Sequence, residues 1–400
     1  MGGIVVIGAG QAGAALAARL RALKYAGPVT LIGAEPAAPY QRPPLSKAYL
    51  LGETDLDRLL LRNADFWDAQ NIDLRPNAEV TGIDRAAKCV VLGGERIPYD
   101  QLALTTGAVV RRLPPAIGGD LAGIHYMRTL ADADRLAPEL VAGRRVLIVG
   151  GGYIGLEAAA VAAKRGLQVT LVEAAPRILQ RVAAPETSDW FRALHLAHGV
   201  RIVEGVGLDR LVGTGHVSGA VLANGEEIAV DFVIAGVGIL PDTGLAEAAG
   251  LALDNGIRVD GQGRTSDPAI WAAGDCASFP YAGGRIRLES VQNAIDQAEC
   301  VAANMLGAGK DYLPYPWFWS DQYDVKLQIA GLNTGYDRVV VRDEGAARAH
   351  WYYRAGRLIA VDAMNDPRAF MVAKRLLAAG RSADPAKVAD PAVELKTLLA

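Results

Sequence analysis

Residues 3–23, GIVVIGAGQAGAALAARLRAL, decide the fold. The apolar run at the start reads as a buried strand, GAGQAG as a glycine turn, and the Ala/Leu/Arg-rich stretch behind it as a helix. In that order the three glycines have separate work. Gly8 permits the tight turn, Gly10 lets an anionic group approach the backbone, and Gly13 lets helix and strand pack closely. The helix N-terminus then presents free N–H groups to a phosphate. The next strand, VTLIGAE (29–35), ends in Ala34 and Glu35, an acid placed to hydrogen-bond a ribose hydroxyl.

The pattern returns at residues 144–166, RRVLIVGGGYIGLEAAAVAAKRG, with Gly150, Gly152, Ile154 and Gly155 in the loop and Glu173 closing the next strand, QVTLVEA. A strand-to-helix turn alone explains one such loop. It does not explain two, each followed by an acid in register, so the sequence predicts two dinucleotide sites. At Glu173 a carboxylate accepts from a free 2′-hydroxyl and repels a 2′-phosphate, which favours NADH over NADPH, with Arg177 and Arg181 close by in sequence.

Working outward, 400 residues with 51% hydrophobic positions suffice for several cores, and 41 basic against 44 acidic residues leave a formal charge of −3. No whole-molecule field is available to hold nucleic acid or an anionic membrane, so neither is expected as a partner. The first strand begins almost at the first residue and no apolar run is long enough to span a bilayer, which gives the expectation of a cytoplasmic protein. Cys89, Cys276 and Cys300 lie far apart without a CxxC, and His125, His195, His198, His216 and His350 show no ligand spacing, so no metal site is expected.

The stretches LALTTGAVVRRLP (102–114) and VDFVIAGVGILPDT (230–243) each read as a strand, a glycine turn and an exit. They set the expected boundaries: a discontinuous first domain at 1–109 and 241–318, a second at 110–240, and a third at 319–400. The third carries short alternating strands, a tight turn at Ala355 and Gly356, and a helix entered through Asp366 and Pro367. The fold class is therefore α/β, two doubly wound Rossmann-like domains plus a small α+β C-terminal domain.

In order along the chain, GAGQAG, YQRPPLSKAYL (40–50), LALTTG, RTLADADRL (128–136), VGGGYIGLEAA, AAGDCA (272–277), RLESVQNA (287–294) and PWFWSDQYDVKLQIAGL (316–332) resemble the FAD-dependent, NADH-using ferredoxin reductases of bacterial oxygenase systems, within the glutathione-reductase type of fold. The resemblance runs from residue 3 to about residue 375. It implies FAD on the first unit and NADH on the second. For FAD it implies Gly8, Gly10, Ala12, Gly13, Ala34, Glu35, Arg42, Lys47, Val80, Thr106, Gly107, Arg128, Asp275 and Val291. For NADH it implies Gly150, Gly152, Ile154, Gly155, Glu157, Glu173 and Gly238.

The same resemblance implies hydride transfer from NADH to FAD with Lys47, Glu157 and Trp319 at the reacting centre. Lys47 and Glu157 are expected to form an ion pair, and Trp319 a stacking wall or electron exit. Pro43 and Pro44 stiffen the arm that brings Lys47 in. Without the cysteine pair of the disulfide reductases, electrons leave the flavin directly. The implied acceptor is a small acidic [2Fe-2S] ferredoxin feeding a cytochrome P450 or Rieske-type oxygenase, and the expected oligomeric state is a monomer. Two other readings stay open at this point: a different acceptor (rubredoxin, a quinone or monodehydroascorbate), or a redox-sensing binding protein in the manner of apoptosis-inducing factor.

Overall fold

The computed structural model describes residues 2–399, which divide into two compact units, 2–41, 55–109 and 239–314 in one and 42–54, 110–238 and 315–399 in the other. In the first unit the apolar run at the N-terminus forms the strand Gly3–Ile7, buried along its whole length. It lies between Val29–Ile32 and Glu95–Leu104, parallel to both, in the order Ile72–Arg75, Val29–Ile32, Gly3–Ile7, Glu95–Leu104. The short strand Ile270–Ala272 pairs in parallel with Leu102–Leu104, so the segment following the second glycine unit does return to this sheet. Helices Gln11–Ala22 and Val291–Met305 cover one face through Leu16, Leu20, Ala298 and Val301.

The second unit holds a five-stranded parallel sheet in the order Arg201–Glu204, Gln168–Glu173, Arg145–Val149, Phe232–Ala235, Ile124–His125. Beside it lies a five-stranded antiparallel sheet in the order Trp317–Gln322, Val325–Gly331, Arg357–Met364, Arg348–Arg354, Arg338–Asp343. The helix Pro367–Ala378 packs on this sheet, and Asp366 caps it by accepting the Ala369 N–H at 2.9 Å. Its tight turn has φ of 48° at Ala355 and 74° at Gly356, the left-handed pair that a two-residue hairpin requires.

Two details differ from the sequence reading. The expected start of the third domain at residue 319 falls inside a strand. That strand begins at Trp317, because Trp317 and Phe318 pair with Ala330 and Ile329. The arm 42–54 groups with the second unit rather than with the chain on either side of it. Among the described residues no helix is long and apolar enough to cross a membrane.

Candidate functional site

In the first unit Gly8 has φ 104°, and a Cβ on Gly13 would lie 2.0 Å from the Gly8 carbonyl oxygen. That contact locks the helix Gln11–Ala22 against the strand and allows only glycine. Gly10 differs: a Cβ there meets nothing within 4 Å, and the helix has no side-chain cap. Open space in front of uncapped N–H groups is what a pyrophosphate needs. A Cβ on Gly274 (φ 84°) would lie 3.0 Å from the Ala12 Cβ, so the chain before Asp275 runs close to the same helix start. Val291 opens the neighbouring helix, whose Ser290 accepts the Asn293 N–H. Thr106 donates to the Asp242 carbonyl at 2.6 Å, and Gly107 accepts the Asp242 N–H, fixing that turn. Glu35 accepts from the Tyr40 hydroxyl, and Ala34 precedes it just past the strand. Val80 is buried in the unit's core.

The second loop repeats the geometry. Gly150 has φ 107°, a Cβ on Gly155 would sit 2.0 Å from the Gly150 carbonyl oxygen, and Gly152 faces open space before the uncapped helix Tyr153–Lys164. Ile154 is exposed at the helix start, a large apolar side chain left uncovered in front of the loop. Glu173 accepts the Gly151 N–H at 2.7 Å through one oxygen and the Ala175 N–H at 2.8 Å through the other. It therefore also holds the loop in shape, and each oxygen keeps a second lone pair for a hydroxyl. Gly238 (φ 99°) accepts the Arg111 N–H at 3.0 Å and leaves space where a side chain would stand. The residues present thus fit two dinucleotides, one at each loop.

Between Arg42 and Lys47 the prolines make a single tight turn, Pro43–Ser46, and Lys47 ends it with φ −132° rather than starting a helix. The Lys47 ammonium lies 2.7 Å from a Glu157 carboxylate oxygen, with side-chain exposures of 19% and 3%. Ser46 donates to that same oxygen at 2.9 Å, and Ser320 donates to the other at 2.7 Å. Glu157 sits in the first turns of the helix that starts the second glycine loop, so this centre is tied to that loop by one rigid element. Sequence reasoning found the ion pair and missed both serines. Arg42 donates to the Arg128 carbonyl at 2.7 Å, which places the two sequence-named cations together. Tyr153 packs on Phe318 with ring centroids 5.0 Å apart, and burial raises its phenol well above the usual range. Trp319 lies on the opposite face of its strand from Ser320, tilted against Trp317 at 5.5 Å.

Cys276 follows Asp275 but is fully buried, and burial pushes its thiol up. It and the other two cysteines are free, none of them in a disulfide. Two glycine loops that fit dinucleotides, with a buried ion pair beside the second, define a pyridine-nucleotide-dependent oxidoreductase. The chain belongs to the family described as pyridine nucleotide-disulphide oxidoreductase, matched over residues 2–298, and residues 317–399 match the reductase C-terminal family. It is 42% identical to rhodocoxin reductase of Rhodococcus erythropolis over 403 residues, 99% of this chain and 94% of the relative. The covalent putidaredoxin reductase–putidaredoxin complex has a TM-score of 0.96 at 39% identity, covering 100% and 98% of the two chains. The ferredoxin reductase for the CYP199A2 system from Rhodopseudomonas palustris also has a TM-score of 0.96, at 41% identity and 100% of each chain. The protein is an FAD-dependent oxidoreductase that uses NAD(H).

Proposed function

We propose that this protein takes electrons from NADH and passes them through FAD, one at a time, to a small acidic [2Fe-2S] ferredoxin that supplies a cytochrome P450 or Rieske-type oxygenase. The observation that carries the reading is the Lys47–Glu157 pair, a cation held at a fixed place by a buried carboxylate on the helix of the second glycine loop. When bound, FAD supplies hydride acceptance from NADH and single-electron release. The chain's own residues bind and orient. Gly8, Gly10 and Gly13, with Ala12, Ala34, Glu35, Val80, Thr106, Gly107, Asp275 and Val291, cradle FAD. Arg42 and Arg128 offer charge to its phosphates. Gly150, Gly152, Ile154, Gly155, Glu173 and Gly238 cradle NADH. Lys47 favours negative charge on the reduced cofactor, Glu157 fixes Lys47, and Trp319 serves the exit of electrons.

The domains follow the same assignment, with FAD on residues up to 109 and on 241–316, NADH on 110–240, and the partner met by the domain that opens with the strand Trp317–Gln322. On the helix Pro367–Ala378, Arg368, Met371 and Arg375 are exposed at spacings that share one face, a cationic stripe with an apolar centre suited to an acidic partner. The protein works as a monomer in the cytoplasm, where NADH and the thiol-reducing pool are found. Anaerobic stopped-flow tests the reading: NADH bleaches the flavin absorbance, ferredoxin restores it, and Lys47→Met slows the first step about tenfold or more. Bleaching at the wild-type rate in that variant removes Lys47 from the mechanism.

A further inference from the structure

Ser320 has one O–H, and the Glu157 oxygen 2.7 Å away can only accept when ionised, so Ser320 donates to Glu157. The Ser320 oxygen then accepts from the Gln322 amide nitrogen at 3.2 Å. This turns the Gln322 carbonyl toward His195 Nε2, 2.8 Å away, which must carry the proton. His195 Nδ1 is left bare and accepts the Tyr323 hydroxyl at 3.1 Å. Every link therefore donates toward Glu157. Ser320, Gln322 and His195 are each buried to within about 1% exposure, so no water substitutes for a missing link. Strand alternation puts Ser320 and Gln322 on one face, and His195 comes from the helix Pro185–Ala197. At the far end Tyr323 is held at φ 55°, a conformation bulky residues rarely adopt, and its ring stacks on His198 at 3.6 Å.

We propose that Ser320, Gln322 and His195 are positioning residues for the hydride-transfer centre, a one-way string of hydrogen bonds that pins one Glu157 oxygen and so leaves the other to hold Lys47. This rests on the proposed role of the Lys47–Glu157 pair. Its physical content is the rotation of a carboxylate. With Ser320 donating, the carboxylate plane is fixed from one side by the C-terminal sheet and from the other by Ser46 and Lys47. Without that donor, a buried oxygen lacks any partner, and the group must turn toward Ser46 and Lys47 or take up a proton. The string also makes the C-terminal sheet part of the reaction centre rather than only a docking platform.

The test uses the intact holoenzyme labelled with ¹⁵N-histidine, its His195 signals assigned with His195→Gln. Long-range ¹H–¹⁵N correlation at neutral pH should show His195 protonated at Nε2 and bare at Nδ1. His350 is an internal contrast. Its Nε2 accepts from Arg348 at 3.1 Å and its Nδ1 faces Thr187 at 2.7 Å, so it should show the opposite tautomer. A His195 protonated at Nδ1 reverses the string, turns Ser320 away from Glu157, and overturns the proposal without any variant having to fold.

Three variants then read the consequence. Ser320→Ala slows flavin reduction by NADH about tenfold, the worth of one charge-assisted hydrogen bond. Gln322→Glu keeps shape but offers Ser320 a second carboxylate, so it slows the step as much and shows His195 doubly protonated. Gln322→Leu removes the donor that orients the Ser320 hydroxyl and slows the step about threefold or more, less than Ser320→Ala because Ser320 still reaches Glu157. A network that serves packing alone lowers the urea midpoints of these variants while leaving flavin reduction by NADH at the wild-type rate in the folded protein, and that result overturns the proposal. Failure of the Lys47 reading would show separately, as an unaltered Lys47→Met with the His195 tautomer as stated.

Discussion

Removing either partner of the Lys47–Glu157 pair should destabilise the second unit, and the two removals should differ in a stated order. Lys47→Met strands a carboxylate that is 3% exposed, whereas Glu157→Gln strands an ammonium that water still reaches at 19% exposure. Breaking a buried pair from one side costs about 3–5 kcal/mol. For Lys47→Met, the hydroxyls of Ser46 and Ser320 continue to donate and the carboxyl can take up a proton, which lowers the expected cost to about 2–4 kcal/mol. For Glu157→Gln the stranded charge is partly hydrated, and the expected cost is about 1–2 kcal/mol. In the double variant no charge is left unpaired, so its cost should fall short of the sum by about 1–2 kcal/mol. Urea unfolding followed by far-UV circular dichroism, with FAD in fixed excess and m-values compared, measures all four corners of the cycle. Additivity within about 0.5 kcal/mol, or a larger loss for Glu157→Gln than for Lys47→Met, would refute the reasoning.

Gly10→Ala should fold normally yet purify with little flavin, because its Cβ enters open space needed by the cofactor. Gly13→Ala should lose folded protein itself, since its Cβ would lie 2.0 Å from a backbone oxygen. Flavin absorbance per folded protein separates the two. Burial lifts Asp362 to about 6 and lowers His195 and His350 to about 4. The raised carboxyl stabilises the fold below its unfolded value near 4, and that contribution is lost as pH rises to about 6. The two depressed histidines stabilise above about 6.5, and their contribution is lost as pH falls toward 4. Two groups outweigh one, so stability should fall on acidification from pH 6.5 to 4. Asp362→Asn should steepen that fall and raise stability at pH 7.5 by about 1–3 kcal/mol, as urea midpoints across pH will show. Arg375→Glu should weaken ferredoxin reduction, and added salt should weaken it in the wild type, while NADH-driven dye reduction holds steady. A dye rate that falls in parallel rules out a docking role.

The two glycine loops were legible because their constraint is local: a turn, a close approach and a helix start fall within a few residues, and only glycine satisfies them at Gly13 and Gly155. The acids that close the two strands stand out in the sequence for the same reason, whereas the Glu173 contacts that hold Gly151 and Ala175 need the folded loop to be seen. Lys47 and Glu157 lie far apart in sequence, and their pairing was legible only through the resemblance carried by RPPLSK and VGGGYIGLE. Ser46 and Ser320 carried no such signal. A serine beside a proline turn reads as turn chemistry, and a serine in WFWSDQY reads as one polar position in an aromatic strand. What brings them to Glu157 is that a buried carboxylate has more acceptor sites than one lysine can fill, and the fold must find further donors for it. Periodicity could have narrowed the search. Phe318, Ser320 and Gln322 share a strand face, and two polar side chains on a face that begins with Phe318 require partners of their own. Sequence patterns thus name a site where the backbone alone builds it. Where side chains from three elements must satisfy one charge, only the assembled structure identifies them, and here that assembly reaches from the second glycine loop into the C-terminal sheet.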